Sequence, residues 1–379
     1  MSYLAGWHDT ALFSGSGNGF MDMGKAEVTI NDIARFARVS KSTVSRVLNN
    51  VDTVSEPARA RVRAAIRATN YRPSTTARNL ARRRSNTIAL IVQDIRNPYY
   101  SFASWFVEKQ FRADGFHFVV FNADNSTSVE REILETVASM RVEGLLCVGG
   151  NRDATDLVTF HSHNDLPIVL IDREVKGYDI PTVNLDNHFG GSAAADYLFS
   201  LGHQTLLFAT SDFTVAELHR REGFFGSLHA RGVSREKALV FSQEEEKWSR
   251  GDCRGLAQYF SGPAAPTAVF ASNDIKAMHV IRFLHERGLS VPGDVSVFGF
   301  DDTPIASVIV PSLSTMRQPQ QAMIKAGMSV LTGLIEGSRA FSVQRRFLPE
   351  LVPRESTGAP PRGLPKSSRA RMEGARAGV

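Results

Sequence analysis

The sequence predicts an α/β protein with an all-α helix-turn-helix head at its N terminus and a larger core of two lobes with parallel sheets. Three short helical patterns between residues 28 and 71 predict the head. From residue 85 onward, short apolar runs alternate with amphipathic stretches for more than 250 residues. That alternation is typical of parallel sheets covered on both faces, and its length favours two lobes over one. A third observation, the charge distribution, separates the head from the core.

The chain has 379 residues, 42% of them hydrophobic and 22% charged, which favours two or three soluble globular domains. Between Lys25 and Arg84 there are 14 Lys and Arg against 4 Asp and Glu, a local charge of +10, whereas residues 85–353 carry −7. A basic head on an acidic body indicates a polyanion partner for the head alone. An ordinary solvated surface is the alternative interpretation.

The two cysteines, Cys147 and Cys253, are far apart and form neither a disulfide framework nor a metal-binding spacing. We therefore expect a reducing, cytoplasmic location and no metal or other cofactor. Residues 1–25 lack periodicity and a signal-peptide pattern, and their "GSGNG" is not preceded by a strand, so we expect a disordered extension. No apolar run is long enough to span a membrane. The Pro-, Gly- and Arg-rich residues 356–379 are expected to be a disordered basic tail.

Residues 26–72 predict the helix-turn-helix domain. "VTINDIARFARVS" begins with a Thr29 cap, "SKSTVSRVLNN" with a Ser40 cap, and "SEPARARVRAAIRATNY" with a Ser55 cap. A three-residue turn separates the first two helices. The apolar positions that should pack the helices together are Ile33, Ala34, Phe36, Ala37, Val44, Val47 and Leu48.

The second helix is too short and polar to be stable alone, and its polar residues cluster on one side. In a helix-turn-helix, the N-terminal end of the second helix enters the major groove. Arg46 is long enough to bind guanine through two hydrogen bonds. Thr43 and Asn49 can bind phosphates. The polar side consists of Lys41, Ser42, Ser45 and Arg46. A small solvated helical cap remains the alternative.

Residues 28–81, with T-x-x-D-I-A, V-S-x-x-T-V-S-R-V-L-N, N-Y-x-P and A-R-x-L, closely resemble the DNA-binding head of the lac repressor/galactose repressor family. The resemblance implies that Lys41 and Ser42 are the main base-reading residues and Arg46 the third, and we include Thr29 and Ser40 among the DNA-binding residues. The family usually has Gly or Asn in the tight turn where this chain has Arg38. Either the turn adjusts to the arginine, or it carries roughly 1 kcal/mol of strain from a positive φ.

The segment 73–84 resembles the family's hinge helix, which we expect to become ordered only against DNA and a second copy of the chain. By that resemblance Leu80 inserts into the minor groove and bends the duplex, and Arg78 contacts DNA.

Residues 85–355 resemble the family's effector-binding and dimerisation core, which is similar to periplasmic sugar-binding proteins. In such folds the ligand lies between the lobes, outside the carboxyl ends of the strands. Polar residues that follow apolar strands are therefore candidates: Asp94, Asp172, Asn273 and Asp301. The resemblance adds Arg220 in "HRREGF", Trp248 as an aromatic cover, Gln318, and Tyr99 or Tyr100. We interpret Asp274 as a helix cap.

A carboxylate, an amide and an arginine beside an aromatic ring suit the paired hydroxyls of a sugar. Thr214 and Ala216 replace an arginine or threonine of other family members, which makes an anionic or purine effector less favoured. The sequence has no P-loop, no G-x-S-x-G elbow, no strand-preceded G-x-G-x-x-G and no histidine cluster, so we do not expect an enzyme. We expect a dimeric, sugar-responsive repressor of operator DNA. A sugar acid or nucleobase effector, or an activator, is the alternative.

Overall fold

The computed structural model describes residues 28–49, 51–71, 85–262, 264–338 and 344–361. The chain divides into two compact units, a head that ends at Arg83 and a body that begins at Arg84. The predicted N-terminal extension, the linker 73–84 and residues 362–379 of the predicted tail lie outside the described residues.

The head consists of helices α1 (Ile30–Ala37), α2 (Lys41–Leu48) and α3 (Glu56–Thr69). Helix α1 begins with a capping box in which Thr29 and Asp32 bind each other's backbone N–H groups. The Ser40 side chain caps α2, whereas Ser55 occupies the N-cap of α3 without a side-chain hydrogen bond. The small core includes Ile33, Ala37, Val44, Val47 and Val62. 

Phe36 does not belong to that core, contrary to the sequence prediction. Its side chain is 69% exposed, because the buried stripe of α1 runs through Ile33, Ala34 and Ala37 and Phe36 lies on the other side of this short helix.

The body combines strands and helices in alternation. Its strands are β1 (Thr87–Val92), β2 (His117–Asn122), β3 (Gly144–Val148), β4 (Ile168–Ile171), β5 (Thr182–Leu185), β6 (Leu206–Thr210), β7 (Ala238–Ser242), β8 (Ala268–Ala271), β9 (Ser296–Asp301), β10 (Ser314–Arg317), β11 (Gln344–Phe347) and β12 (Glu350–Val352). Its α-helices are α4 (Pro98–Ala113), α5 (Thr127–Ser139), α6 (Thr155–His163), α7 (Asn187–Ser200), α8 (Val215–Ala230), α9 (Glu245–Ser249), α10 (Asp274–Glu286) and α11 (Gln320–Ile335). Two 3-10 helices cover Arg254–Phe260 and Pro304–Ser307.

These elements form two lobes, each with a six-stranded sheet. The N-terminal lobe has the strand order β11-β5-β4-β3-β1-β2, with parallel pairing throughout. The C-terminal lobe has the order β12-β10-β9-β8-β6-β7, parallel except for β12. In both sheets the strand order reverses beside the first strand, and such a switch point opens a crevice at the carboxyl ends of the strands. The chain passes between the lobes three times, after β5, β10 and β11.

The structure confirms the two-lobed α/β fold. The seven apolar runs of the sequence, "TIALIV", "FHFVVFN", "GLLCVGG", "PIVLID", "TLLFAT", "TAVFAS" and "VSVFGFDD", form strands β1 to β4, β6, β8 and β9. The other five strands were not predicted. Strands β5, β10, β11 and β12 are only three or four residues long. Strand β11, "QRRF", is largely exposed at the sheet edge, and β10, "STMR", buries two hydroxyl residues beside Met316. Strands β5, β10, β11 and β12 give no clear apolar run, so hydrophobic periodicity misses them. Edge strand β7, "ALVFS", does contain an apolar run, but its burial pattern is mixed.

The predicted tail boundary at residue 356 is too early. Ser356 is buried, its hydroxyl donates to Val297 O at 2.6 Å, and Gly358 N donates to the Ser296 hydroxyl at 3.0 Å. Gly358 O also lies 2.9 Å from His203 Nε2. These hydrogen bonds attach residues 356–358 to the C-terminal lobe. In the described part of the chain, no helix is long and apolar enough to cross a membrane.

Candidate functional site

The outer face of α2 carries the polar side chains predicted to read DNA. Lys41, Ser42 and Arg46 are exposed, Ser45 is partly exposed, and Val44 and Val47 pack inward. The Ser40 hydroxyl accepts from Thr43 N at 3.2 Å and lies 2.8 Å from the Ser42 hydroxyl. The hydroxyls at the start of α2 are therefore ordered by one another, and the helix N terminus stays open to an anion such as a phosphate.

The turn before α2 has the strained geometry, one of the two alternatives that the sequence left open. Arg38 has φ 51° and ψ 51°, in the left-handed region. Its N–H is bonded to Ala34 O and Arg35 O, which closes α1, and Arg61 Nε donates to Ala37 O at 3.1 Å. The turn thus keeps its geometry with an arginine. Of the other candidates, Thr29 caps α1, and Asn49 follows α2 with its amide 2.9 Å from Ser45 O. Arg78 and Leu80 lie outside the described residues.

The nine predicted effector-binding residues all line one cavity between the two lobes of the body. Its volume is about 140 Å³. The N-terminal lobe contributes Asp94 after β1, Tyr99 and Tyr100 from the first turn of α4, and Asp172 after β4; the C-terminal lobe contributes Arg220 from α8, Trp248 from α9, Asn273 before α10 and Asp301 from β9, with Gln318 on the crossing after β10.

Arg220 lies at the centre of the cavity because α7 and α8 approach very closely. A Cβ at Gly191 would lie 2.0 Å from Arg220 O, and one at Gly223 would lie 1.9 Å from His188 O. Only glycine permits this contact. It places Arg220 Nε 2.8 Å from Asn187 Oδ1, so α7 supplies the hydrogen bond that orients the guanidinium.

The guanidinium of Arg220 is held by neutral groups and faces two carboxylates. Nη1 donates to Ser272 O at 2.7 Å, and the guanidinium carbon lies 3.7 Å from the centre of the Phe300 ring. Asp172 and Asp301 are 3.7 and 3.8 Å from its terminal nitrogens, too far for hydrogen bonds. A ligand oxygen can therefore bind the arginine and a carboxylate together.

Both aspartates have unusual backbone geometry, with φ 54° at Asp172 and φ 119° at Asp301. A backbone conformation of this kind costs roughly 1–3 kcal/mol per residue, and such residues are common at functional sites. Asp172 accepts from Asn187 Nδ2 at 2.8 Å, and Asp301 accepts from Gln318 Nε2 at 2.7 Å. Burial raises the pKa of Asp301 to about 8; nearby Arg220 opposes this rise and Asp274 adds to it. With this pKa, the protonated form of Asp301 is favoured at neutral pH.

Two buried polar atoms on the cavity wall have no hydrogen-bond partner among the described residues, Tyr99 OH and Gln318 Oε1. Both side chains are 5% exposed. An unpaired buried polar atom costs about 1–3 kcal/mol, so a ligand that pairs with these atoms recovers that energy. Burial, followed by the charge of Asp172, raises the pKa of the Tyr99 hydroxyl well above its usual range, and the hydroxyl can donate.

Other candidates have structural contacts of their own. The indole N–H of Trp248 donates to Thr210 O at 3.0 Å, which fixes its ring at the cavity wall. The Asn273 side chain caps α10 through Lys276 N, at 2.8 Å. Asp274 is structural, as expected, but it does not cap the helix, because its carboxylate binds the hydroxyls of Thr303 and Thr315 instead.

A charged group on the cavity wall was not predicted from the sequence. Lys276 Nζ lies 2.5 Å from Glu217 Oε1 and 2.8 Å from Glu245 Oε2. The three residues come from α10, α8 and α9, and each would read in sequence as part of a solvated helix face. The signal that could have found them is weak: Glu217 follows Thr214 in a capping box, which places it at the cavity end of α8.

A backbone contact joins the two lobes beside the cavity. Asn151 of the N-terminal lobe forms an antiparallel bridge with Thr214, and Arg152 N donates to Phe213 O at 3.1 Å. Thr214 begins α8, the helix that carries Arg220. A change in lobe separation therefore acts directly on the helix that holds the central arginine.

Comparison with known proteins gives the same division of the chain. The model for bacterial regulatory proteins of the lacI family matches residues 29–74, and that for the periplasmic binding protein-like domain matches residues 195–357. The ribose operon repressor of Escherichia coli is 31% identical over 330 residues, covering 86% of this chain and 99% of the relative. PurR of Erwinia tasmaniensis, an HTH-type transcriptional repressor, is 32% identical over 336 residues, covering 88% and 98%.

Among solved structures, the lac repressor dimer bound to operator and the anti-inducer ONPF matches with a TM-score of 0.75 and 25% identity, over 88% of this chain and 100% of that chain. With the helix-turn-helix head and the two-lobed cavity, these matches define a DNA-binding transcriptional regulator with a small-molecule-binding core. The chain belongs to the lacI family of bacterial regulatory proteins.

Proposed function

We propose that this chain is a dimeric repressor whose affinity for operator DNA is controlled by a small polyhydroxylated effector in the interlobe cavity. The observation that carries the effector class is Arg220, held by neutral partners between Asp172 and Asp301 at distances that leave room for ligand oxygens. A sugar hydroxyl both donates and accepts, so neighbouring hydroxyls can serve the arginine and a carboxylate together.

The size of the cavity supports a single-ring effector. Its volume of about 140 Å³ is close to that of an engineered cavity of roughly 150 Å³ that accommodates benzene. The ribose operon repressor and PurR are almost equally identical to this chain, so identity alone does not choose the effector. The flanking carboxylates and the unpaired Tyr99 hydroxyl favour a monosaccharide.

Thermal unfolding of the full-length protein with single compounds tests the effector class. A ligand that binds only the folded state raises the unfolding temperature of the body. We expect an increase with one or a few neutral monosaccharides. A rise in the unfolding temperature with a nucleobase, and with none of the sugars, would support the alternative, a regulator whose effector is a nucleobase.

We propose that the head reads the operator through Lys41, Ser42 and Arg46, with Ser45 in support and phosphate contacts from the cap residues Thr29 and Ser40 and from Thr43 and Asn49. Their exposure on α2, away from the head's core, supports this assignment. Arg78 and Leu80 would contact the minor groove once the linker pairs with that of a second copy.

We propose a dimer because one small head buries too little DNA for high affinity, whereas two heads can bind two half-sites of the operator. Exposed apolar side chains on both lobes, Trp105 on α4 and Val308 and Val310 after β9, support a protein interface on the body. Sedimentation should give a dimer at micromolar concentration. A monomer that persists with operator present would contradict the proposal.

The switch we propose is a change of lobe arrangement that alters whether the two linkers can pair on DNA. The coupling needed is about 1–3 kcal/mol, and it is reciprocal. Operator must therefore change effector affinity by the same factor, which calorimetric titration with and without operator measures. Identical affinities would mean that the cavity does not control the head. We further propose that the chain has no catalytic activity and acts in the cytoplasm, where its DNA target lies.

A further inference from the structure

The group formed by Glu217, Lys276 and Glu245, here called the acid–lysine cluster, lies on the cavity wall but is not part of the arginine–aspartate site. Lys276 is 2% exposed. Its ammonium contacts Glu217 at 2.5 Å, Glu245 at 2.8 Å and the Ser211 hydroxyl at 3.1 Å. An ammonium has three N–H donors, and these three acceptors use them all. Lys276 therefore cannot bind an anionic effector without losing one of its own partners.

Glu217 is equally occupied. One carboxylate oxygen accepts from the Ser272 hydroxyl at 2.6 Å and from Lys276; the other accepts from the Ser211 hydroxyl at 2.8 Å and from Phe213 N at 3.1 Å. Burial opposes ionisation of Glu217, but Lys276 and the hydroxyl donors outweigh it and hold its pKa at about 2. Glu217 is therefore ionised and closed to a ligand, and it anchors the loop that leads into α8.

Glu245 is the member of the cluster whose carboxylate can still accept hydrogen bonds. It lies on α9, the short helix that also carries Trp248, and its side chain is 21% exposed. Glu245 lines the cavity, and within the described residues Lys276 is its ion-pair partner, through Oε2, so the second carboxylate oxygen has no ion-pair partner. Because the charge of Lys276 is already balanced by Glu217, Glu245 adds a net negative charge to the wall.

The remaining charges of the wall do not offset this one. The lining includes five carboxyl groups and three strong cations, the latter from Arg96, Arg220 and Lys276. With Asp301 protonated, four carboxylates remain, those of Asp94, Asp172, Glu217 and Glu245. Arg96 is bound to Asp94 at 2.8 Å and to Asp124 at 2.8 Å. Burial lowers the pKa of His279, the histidine of the lining, and so disfavours its charged form. An anionic effector would meet an excess of negative charge: Arg96 and Lys276 are paired with carboxylates, and Arg220, which has room for a ligand oxygen, faces Asp172 at 3.7 Å.

We propose that Glu245, positioned by Lys276, is a specificity residue that excludes anionic ligands and restricts the cavity to uncharged polyols and their amine derivatives. This inference rests on the proposed function, because it concerns the ligand of the same cavity. It divides the sugar-like compounds by charge: neutral and amino sugars enter, whereas uronic acids and sugar phosphates do not. One like charge in a partly solvated site reduces affinity roughly tenfold.

The test uses matched probes with the full-length protein at pH 7. For glucose, galactose and mannose, calorimetry compares the neutral hexose with its uronic acid and with its 2-amino-2-deoxy analogue, and ribose is compared with ribose 5-phosphate. For each parent that binds, the acid or phosphate should bind at least tenfold more weakly and the amine about as well. This part of the test needs no variant.

Two variants assign the effect to Glu245. Glu245→Gln should reduce the difference in affinity between the neutral sugar and its acidic form several-fold. Glu246→Gln makes the same charge change one residue further along α9, where the side chain is 71% exposed and binds Arg250, and it should leave this difference unchanged. If Glu245 only fixes the position of Trp248, Glu245→Gln would weaken neutral and acidic forms alike, and that result would overturn the proposal.

The outcomes separate this inference from the proposed function. An acid or phosphate that binds the unmodified protein more tightly than its neutral parent overturns the charge selection and leaves a sugar-responsive regulator intact. If no neutral, acidic or amine compound binds, the polyol effector of the proposed function is wrong, and the charge selection is wrong with it.

Discussion

The recognition face of α2 and the wall of the interlobe cavity place charged side chains in opposite surroundings. Lys41 and Arg46 are exposed on a helix that has no acidic residue. Arg220 and Lys276 are buried, and each contacts groups from several other elements of the body. The head therefore displays independent contacts to its ligand, whereas the body positions its cavity residues through a connected network.

This difference has an energetic consequence. Removing an exposed side chain loses that side chain's own contacts with DNA and leaves the fold unchanged. Removing a member of the buried network also leaves its partners desolvated and unpaired, which costs more than the contact itself contributed. Substitutions in the cavity should thus have large effects that depend on one another, and those on α2 should have smaller effects confined to DNA binding.

The largest expected effect is on the stability of the body. Lys276→Met leaves Glu217 buried and without its cation, and should lower the free energy of unfolding by about 3–5 kcal/mol. Urea denaturation followed by tryptophan fluorescence measures this. The double variant Glu217→Gln with Lys276→Met should recover much of the loss, since no buried charge is left unpaired. In the head, Arg35 is 81% exposed beside Asp32, and Arg35→Gln should change stability by less than about 0.5 kcal/mol.

The network would be less important than we infer if Lys276→Met and Arg35→Gln had similar effects. The same conclusion would follow if the double variant were less stable than Lys276→Met alone.

The next effect separates effector binding from operator binding. Asp301→Ala should weaken effector binding by about 2–4 kcal/mol, because it removes one or two hydrogen bonds and leaves ligand hydroxyls and the Gln318 amide unpaired. Operator affinity without effector should stay nearly unchanged. Leu80→Ala should do the reverse, weakening the operator complex while effector binding remains. Operator titrations with and without effector measure both, and loss of both activities in either variant would count against separate sites.

A smaller effect is expected on the head. Arg46→Ala should cost about 1–3 kcal/mol on the specific operator and little on random DNA, because a base-reading contact is lost. Replacing Arg82 or Arg83 in the linker should instead weaken all DNA alike and flatten the salt dependence. Fluorescence anisotropy with both DNAs at several salt concentrations compares the variants. If Arg46→Ala weakened binding to the specific operator and to random DNA equally, Arg46 would not be a base-reading residue.

The contrast between head and body also explains what could be predicted from the sequence. On α2 the candidate DNA-binding residues lie within two turns of one helix, so helical periodicity alone places them on one face. At Arg38 the sequence left open whether the turn adjusts or is strained, and the structure has the positive φ of the strained turn. The prediction that Phe36 packs in the head's core was wrong, because its spacing from Ile33 fits a helical stripe but places it beside the stripe that is buried.

In the body, prediction succeeded where a side chain follows an apolar strand. Asp94, Asp172 and Asp301 were found in this way, because parallel strands bring their carboxyl ends to one edge. The acid–lysine cluster was missed because its members lie on three helices that only the tertiary fold brings together. Their binding roles, like those of the nine predicted residues, remain predictions that the variants above test.

Taken per pH unit, the dependence of body stability on pH is the smallest effect, and it distinguishes the buried site most directly from the exposed one. Burial raises the pKa of Asp301 to about 8, far above its usual value of roughly 4. The folded body therefore holds a proton that the unfolded chain releases, so this contribution to stability is complete below about pH 4 and is lost as pH rises to about 8. The slope should be at most about 1.4 kcal/mol per pH unit. Glu217, with its pKa at about 2, acts in the opposite direction and only below about pH 4.5, outside this window.

Urea unfolding of the body at several pH values from 5 to 8 isolates this contribution when the unmodified protein is compared with Asp301→Asn, which cannot ionise at that position. The stability of the unmodified protein should fall relative to the variant as pH rises. Helix α2 contains no acidic residue and no histidine, so it should contribute no such slope. Parallel curves for the two proteins would mean that Asp301 is ionised in the folded body across the whole window, and that the buried cavity holds its aspartates much as a solvated surface would.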